Sequence, residues 1–405
     1  MANSPIPERG SALTADWMRQ ALGAGAATGF PAIRDMVVED IGTGAGALSE
    51  ILRCTMRYED DGAGAPESVV VKLCSSDNKS LRIARLLGMY RREYNFFRQL
   101  APHLPIGLPA LLYGDWEESG HRFVLVLEDL QGMVVMDQIS GAGAAQARRA
   151  IRGVAELHGQ FWNRLDRPPV ASFLASVRPP RRWVSQLLYL ICLAPCMKRF
   201  GSLFSNRKRR LAEAYGPRVA VHMDELARGP RTLTHGDFRL ENMFFGTGES
   251  DAFTVIDWQA AGMIGNGLYD VAYFMVTSVP TEVRRDIERD ALEEYHEIVC
   301  RMGAKDFPWE DCWSRYRRSV LNTLVPCVCA CGGLDMTNPR MRALGETMVQ
   351  RTLAAIEDLD AHEFLPGGGR PLAPVRAFPL LSRSAYEAYR VLYGLCGPRT
   401  WRSPI

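Results

Sequence analysis

The sequence predicts an α+β fold with strands first and helices after. Two observations carry this. Runs rich in Val and Ile, separated by Gly-rich or acidic turns, are concentrated ahead of residue 130. Past Asp257 the apolar spacing is helical almost throughout.

Taken in order, residues 1–30 form an Ala- and Gly-rich extension with a short helical candidate at Thr14–Leu22. Strand candidates follow at Arg34–Ile41, Leu48–Tyr58 and Ser68–Leu73. The first turn between them, Gly42–Ala47, is made of small residues, and Gly44 and Gly46 would let backbone amides approach phosphates. Lys72 sits at the end of the hydrophobic run Val69–Val71 and resembles the strand lysine of protein kinases, which contacts the α and β phosphates. A lysine so placed needs an anionic partner. Asn78–Leu100 reads as one helix, with Ile83, Leu86, Leu87, Tyr90, Tyr94 and Phe97 at three- and four-residue steps and Asp77 or Asn78 as the cap. Glu93 lies beside that stripe and is the partner expected for Lys72, while Arg91 and Arg92 are expected to point elsewhere. Ala110–Trp116 and Arg122–Leu127 read as two more strands, the second running into the acidic turn Glu128-Asp129-Leu130. Ala144–Leu165 reads as a long helix whose His158 is a hydrogen-bonded structural residue.

The chemistry concentrates further on. Residues 234–246 read THGDFRLENMFFG, and residues 255–262 read VIDWQAAG. Asp237 and Asn242 are separated by four residues, as Asp and Asn are in the protein-kinase catalytic loop, and a second Asp follows at 257. Apolar residues at Leu233, Met243–Phe245 and Phe253–Ile256 would be short strands bracketing the polar loops. In such an arrangement Asp237 accepts the proton of an attacking hydroxyl. Asn242 and Asp257 hold a divalent ion, and magnesium suits hard oxygen ligands of this kind.

HGDxxxxN followed by a strand ending in IDW resembles the aminoglycoside phosphotransferase and choline kinase superfamily. The continuation IDWQ, then Tyr269-Asp270-Val271-Ala272-Tyr273-Phe274, then Glu294-Tyr295-His296, is similar to the ecdysteroid-kinase-like (CHK-kinase-like) branch. The resemblance runs from about residue 35 to about residue 360. It implies a bilobal protein-kinase-like fold, with an antiparallel sheet plus one helix in the small lobe and a larger, mainly helical lobe after it. It also implies ATP as donor, Mg2+ as cofactor and a hydroxylated small molecule as acceptor. It places the adenine-binding hinge at Glu128–Leu130, where backbone groups do the work. On this reading residues 1–30 are an extension, 31–130 the nucleotide-binding lobe, 131–365 the lobe with the catalytic loop and acceptor site, and 366–405 a tail. One departure stands out. Gln259 occupies the position, two after the metal Asp, where many antibiotic kinases carry an acid.

Beyond Asp257, helices are expected at Leu268–Thr277, Thr281–Met302, Trp309–Cys331 and Pro339–His362. The last 40 residues are rich in Pro and Gly and read as an irregular tail with one helical candidate at Ser384–Tyr393. Cys327, Cys329 and Cys331 lack the spacing of a zinc site and read as small core residues. With 48 basic and 46 acidic residues, bulk charge makes no case for nucleic acid as a partner. No stretch approaches the roughly 20 apolar residues of a membrane span, and the start of the sequence has no apolar signal core. These features and the ten scattered cysteines predict a cytoplasmic protein. Residues 160–234 carry 14 basic and 4 acidic residues, a net of +10. An insert of that sign favours a neutral or anionic acceptor over a polycation. Rival readings are a protein kinase, a hydroxyacyl-CoA kinase of the same superfamily, and a nucleotide-binding pseudokinase acting as a scaffold. The missing Arg in HGD and the absence of an APE-like segment count against the first.

Overall fold

The computed structural model describes residues 5–24, 31–42, 48–59, 64–118, 122–177, 182–248, 250–262 and 265–367. Gly44, Gly46, most of the predicted tail and its helical candidate at Ser384–Tyr393 lie outside the described residues.

After helix α1 (Ala15–Ala24) come strands β1 (Ile33–Asp40), β2 (Ser49–Tyr58) and β3 (Ser68–Cys74), helices α2 (Asn78–Leu86) and α3 (Met89–Asn95), and strands β4 (Leu111–Glu117) and β5 (Arg122–Glu128). The five strands form one antiparallel sheet in the order β1-β2-β3-β5-β4. Alternation along β3 and β5 divides the sheet into two faces. Val69, Val71, Val124 and Val126 pack under Met18, Ala21 and Leu22 of α1. Phe123, Leu125 and Leu127 belong to the main core with Tyr90, Phe96 and Phe97.

The single helix expected over 78–100 is broken. Gly88 adopts a left-handed conformation (φ 64°, ψ 28°) that ends α2 and redirects the chain, and a π-turn at Phe96–Leu100 closes α3. Asp77 caps α2, with Ser80 donating its amide to Oδ2 at 2.7 Å.

The rest is mainly helical. In order come β6 (Val134–Val135), α4 (Ala144–Phe161), α5 (Val170–Ser176), α6 (Arg182–Phe200), α7 (Asn206–Tyr215), α8 (Val219–Leu226), β7 (Met243–Phe245), β8 (Phe253–Val255), α9 (Gly267–Ser278), α10 (Thr281–Arg301), α11 (Trp309–Asn322), α12 (Leu324–Gly333) and α13 (Pro339–Asp358). Leu233 is not in a strand. The edge of β7 available to it is taken by β6, which pairs Val134 with Phe245 and Val135 with Phe244. The predicted helix Trp309–Cys331 is divided at Thr323. Pro326 has no amide to return to the preceding turn, so the ladder is interrupted there.

Helices α6 and α12 meet closely. A Cβ on Gly332 would lie 2.1 Å from the Cys192 carbonyl oxygen. Arg199 of α6 donates Nη1 to the carbonyls of Cys331, Gly332 and Leu334 at 2.8, 3.2 and 3.0 Å, satisfying the end of α12. Cys327 and Cys331 are buried in this contact, and no group of three His, Cys, Asp or Glu able to hold a metal occurs among the described residues. Gly332→Ala is therefore expected to force the two backbones apart and to cost about 1–3 kcal/mol. Thermal denaturation checks this, and an unchanged midpoint would contradict the packing described.

Arg209 binds the Gly201 carbonyl, Arg218 those of Ala214 and Pro366, and Lys208 the carboxylate of Glu357. With Arg199, these residues of the basic insert serve helix ends and surface ion pairs.

Candidate active site

The site begins at a short hairpin. β7 pairs with β8, Met243 facing Val255, and the Ile256 amide donates to the Asn242 carbonyl at 2.9 Å. Asn242, just before β7, is thus held opposite the residue that precedes Asp257. Asp257 itself is left-handed (φ 65°, ψ 58°), a conformation that Asp tolerates better than most residues. Trp258 fixes the turn from below, its ring stacked on Phe96 at 4.3 Å and its Nε1 donating to the Val255 carbonyl.

Lys72 meets this loop from the sheet. Its Nζ lies 2.7 Å from Glu93 Oε1 and 2.7 Å from Asp257 Oδ1. Lys72 and Glu93 are buried. Burial disfavours the ammonium, but the carboxylates of Asp257 and Glu93 outweigh it and hold Lys72 above the ordinary lysine range. The two acids separate. Burial raises Asp257 too, yet Lys72 overcomes it and keeps that carboxyl below its usual range. Burial prevails at Glu93 and pushes it up. One cation cannot satisfy two buried carboxylates equally. Glu93 Oε2 and Gln259 Oε1 are buried without hydrogen-bond partners among the described residues, while Gln259 Nε2 donates to Asp257 Oδ2 at 3.0 Å.

The HGD turn is pinned from behind. Asp270, in the first turn of α9, is fully buried and accepts the amides of His235 at 2.6 Å and Gly236 at 2.9 Å. His158 Nε2 lies 3.3 Å from the same carboxylate, and His158 Nδ1 lies 2.9 Å from the Tyr295 hydroxyl. His235 donates Nε2 to the Ile256 carbonyl at 2.9 Å and accepts the Asp237 amide on Nδ1 at 3.1 Å, so both nitrogens are used in shaping the loop. Gly236 has φ 86°, and a Cβ there would lie 2.5 Å from the Ala260 carbonyl oxygen, so no side chain fits. Asn242 Nδ2 donates to the Asp237 carbonyl at 2.9 Å and to Asp237 Oδ2 at 3.1 Å. Its Oδ1 makes no hydrogen bond to a described residue.

The structure thus brings Lys72, Glu93 and Asp257 into direct contact and holds Asp237 against Asn242. Glu128 and Leu130 leave β5 together, but the Glu128 side chain turns back to accept the Ala110 amide at 3.0 Å. Asp129, between them, accepts from Ser68 Oγ at 2.6 Å and Arg53 Nε at 2.7 Å.

One expectation is overturned. Arg92 does not point away. It is buried, and its Nη1 donates to the Leu87 carbonyl at 3.3 Å and to the Gln259 carbonyl at 3.2 Å, tying α3 to the Asp257 loop. Burial lowers its pKa to about 10. Arg91 does face outward, toward Glu118. The sequence reading also missed Asp270 as an anchor, although a lone acid in the mostly apolar stretch 267–276 was a visible signal. Tyr273, named only as part of the motif at 269–274, also faces this loop; burial and then the Asp237 charge raise its pKa.

A small antiparallel sheet over a helical body, with a lysine–glutamate pair above an Asp–Asn loop, defines a protein-kinase-like phosphotransferase. The chain belongs to the phosphotransferase enzyme family (APH), whose model matches residues 58–304, and it is a small-molecule kinase. Among solved structures it resembles a microcompartment-associated aminopropanol kinase (16% identity, TM-score 0.52), covering 86% of this chain and 98% of that one. It also resembles a Ralstonia eutropha JMP134 protein assigned by name to the aminoglycoside phosphotransferases (14% identity, TM-score 0.50), covering 85% of this chain and 97% of that one. No curated protein matches the sequence at a significant level.

Proposed function

We propose that the chain transfers the γ-phosphoryl group of ATP to a hydroxyl of a neutral or anionic small molecule, with magnesium as cofactor, as a member of the ecdysteroid-kinase-like branch. Residues 31–130 would hold the nucleotide and residues 131–365 the acceptor. The observation that carries the reading is the meeting of Lys72, Glu93 and Asp257 beside a loop in which Asp237 and Asn242 share hydrogen bonds.

The donor set suits the cation. Among the described residues Asn242 Oδ1 has no hydrogen-bond partner, the Asp257 carboxyl is held below its usual range, and Gln259, bonded to Asp257 through Nε2, carries a buried oxygen that is also without one. Asn242 and Asp257 would hold it, and its charge would offset that of the phosphates. The protein's own groups do the rest. Lys72, retained by Glu93, is placed to turn from Asp257 to the α and β phosphates. Asp237 orients the acceptor hydroxyl and takes its proton, late if the transition state is loose. The neighbours of Asp237 support a neutral or anionic acceptor. Glu241 is paired with both Arg239 and Arg340, so it offers little to a polycation.

A screen of ATP consumption against hydroxylated metabolites sorted by charge, with and without magnesium, tests the reading. Turnover is expected with a neutral or anionic alcohol, and Asp257→Ala should remove the magnesium-dependent part of nucleotide binding. Thermal stabilisation by ATP with no transfer to any hydroxyl would instead mark a nucleotide-binding scaffold.

A further inference from the structure

The segment after Gly236 alternates. Phe238 and Leu240 are fully buried, so Asp237, Arg239 and Glu241 are left on the other side, with side chains 27%, 27% and 25% exposed. Arg239 has an extended backbone (φ −138°, ψ 160°), which sets its side chain beside that of Asp237. Its Nε donates to Asp237 Oδ2 at 3.4 Å and its Nη1 is held by Glu241. Glu241 is braced in turn by Arg340 Nη2 at 3.2 Å, and Arg340 by Asp137 at 2.7 Å. The remaining nitrogen, Nη2, has no hydrogen bond to a described residue. An arginine serving only as a surface ion pair would have no need of the candidate base. Here a planar cation is fixed at two corners, with the third left over next to the group that would receive the acceptor's proton.

Resting on the function proposed above, we propose that Arg239 is a further catalytic residue, whose Nη2 donates to a non-bridging oxygen of the phosphoryl group in flight. In the step, the acceptor O–H bond breaks and its proton passes to Asp237. The acceptor oxygen bonds to the γ-phosphorus, and the bond from that phosphorus to the β–γ bridging oxygen breaks, so that ADP leaves with the electron pair. In mid-step the charge of the phosphoryl group is spread over three equatorial oxygens in a flattened geometry that the bound nucleotide lacks, and a donor preorganised for that geometry acts on the transition state more than on the bound nucleotide. Glu241 is the positioning residue that keeps the guanidinium from folding wholly onto Asp237.

The test is binding of magnesium–ADP alone against magnesium–ADP with aluminium fluoride, a mimic of the transferring group, for wild type, Arg239→Ala, Arg239→Lys and Glu241→Gln. Arg239→Ala is expected to leave ADP affinity unchanged and to weaken the aluminium fluoride complex by about 10²-fold. Arg239→Lys, which keeps the charge without the fork, should fall between, and Glu241→Gln should show a smaller loss of the same kind. Equal loss in both complexes, or loss in neither, would overturn the assignment even if Arg239→Ala were poorly folded, because Arg239→Lys reports the same difference. Wild-type protein that binds no ADP would defeat the parent reading as well, so the two failures are distinguishable.

Discussion

Asp237→Asn is expected to lower turnover by about 10²–10⁴-fold, the usual contribution of a positioned general base, with nucleotide affinity preserved. The substitution keeps the shape of the side chain and removes only its charge and proton affinity. Its neighbours still fit: the Asn242 amide bonds the Asp237 main-chain carbonyl as well as the carboxylate, so the loop retains one of its two ties. His235 accepts the main-chain amide of residue 237 and is indifferent to the side chain. The measurement is kcat with the best acceptor from the screen, alongside a nucleotide dissociation constant. Wild-type turnover in Asp237→Asn would remove the base from the mechanism. A parallel loss of nucleotide binding would make the residue structural instead.

The second large effect is expected at Asp270, which touches no substrate in this scheme. Asp270→Ala orphans the amides of His235 and Gly236 in a buried turn, at about 1–3 kcal/mol each. That is a large part of the roughly 5–15 kcal/mol by which a domain is usually stable. His158 loses one of its two partners too and is left with Tyr295. Asp270→Asn is the sharper probe. Its single carbonyl oxygen serves one amide, while its NH₂ is turned on the other, so the HGD turn should loosen before the whole molecule unfolds. A fall in the denaturation midpoint together with a drop in kcat is the expected pair. A variant as stable and as active as wild type would show that the turn holds itself.

How much of this could be read beforehand depended on the kind of signal. Strands β1 to β5 were plain because their Val- and Ile-rich runs are bounded by turn residues. The Lys72–Glu93 contact was foreseeable because Glu93 flanks an apolar stripe on a helix that had to pack on the sheet. The break at Gly88 was hidden, since a glycine inside a continuing three-and-four pattern looks like a tolerated guest. Arg92 was hidden for the opposite reason: a buried arginine reads as a surface one unless the carbonyls waiting for it are known, and those of Leu87 and Gln259 are set by the fold. The two-residue strand β6 is too short to leave a periodicity at all. The excess of positive charge between residues 160 and 234 misdirects in part, because arginines that close helix ends look the same in sequence as arginines that greet a ligand.

Helix α1 has a bearing on the chemistry that its distance in sequence conceals. Val71 and Leu73, on either side of Lys72, are pressed under it, so the strand that presents the ammonium is gripped from its far side by residues near the start of the chain. Shortened versions of the protein beginning at the first strand would bare a panel of valines to water and release that grip in the same stroke. Weak phosphotransfer by such a fragment would then say more about a lysine come adrift than about the catalytic loop itself.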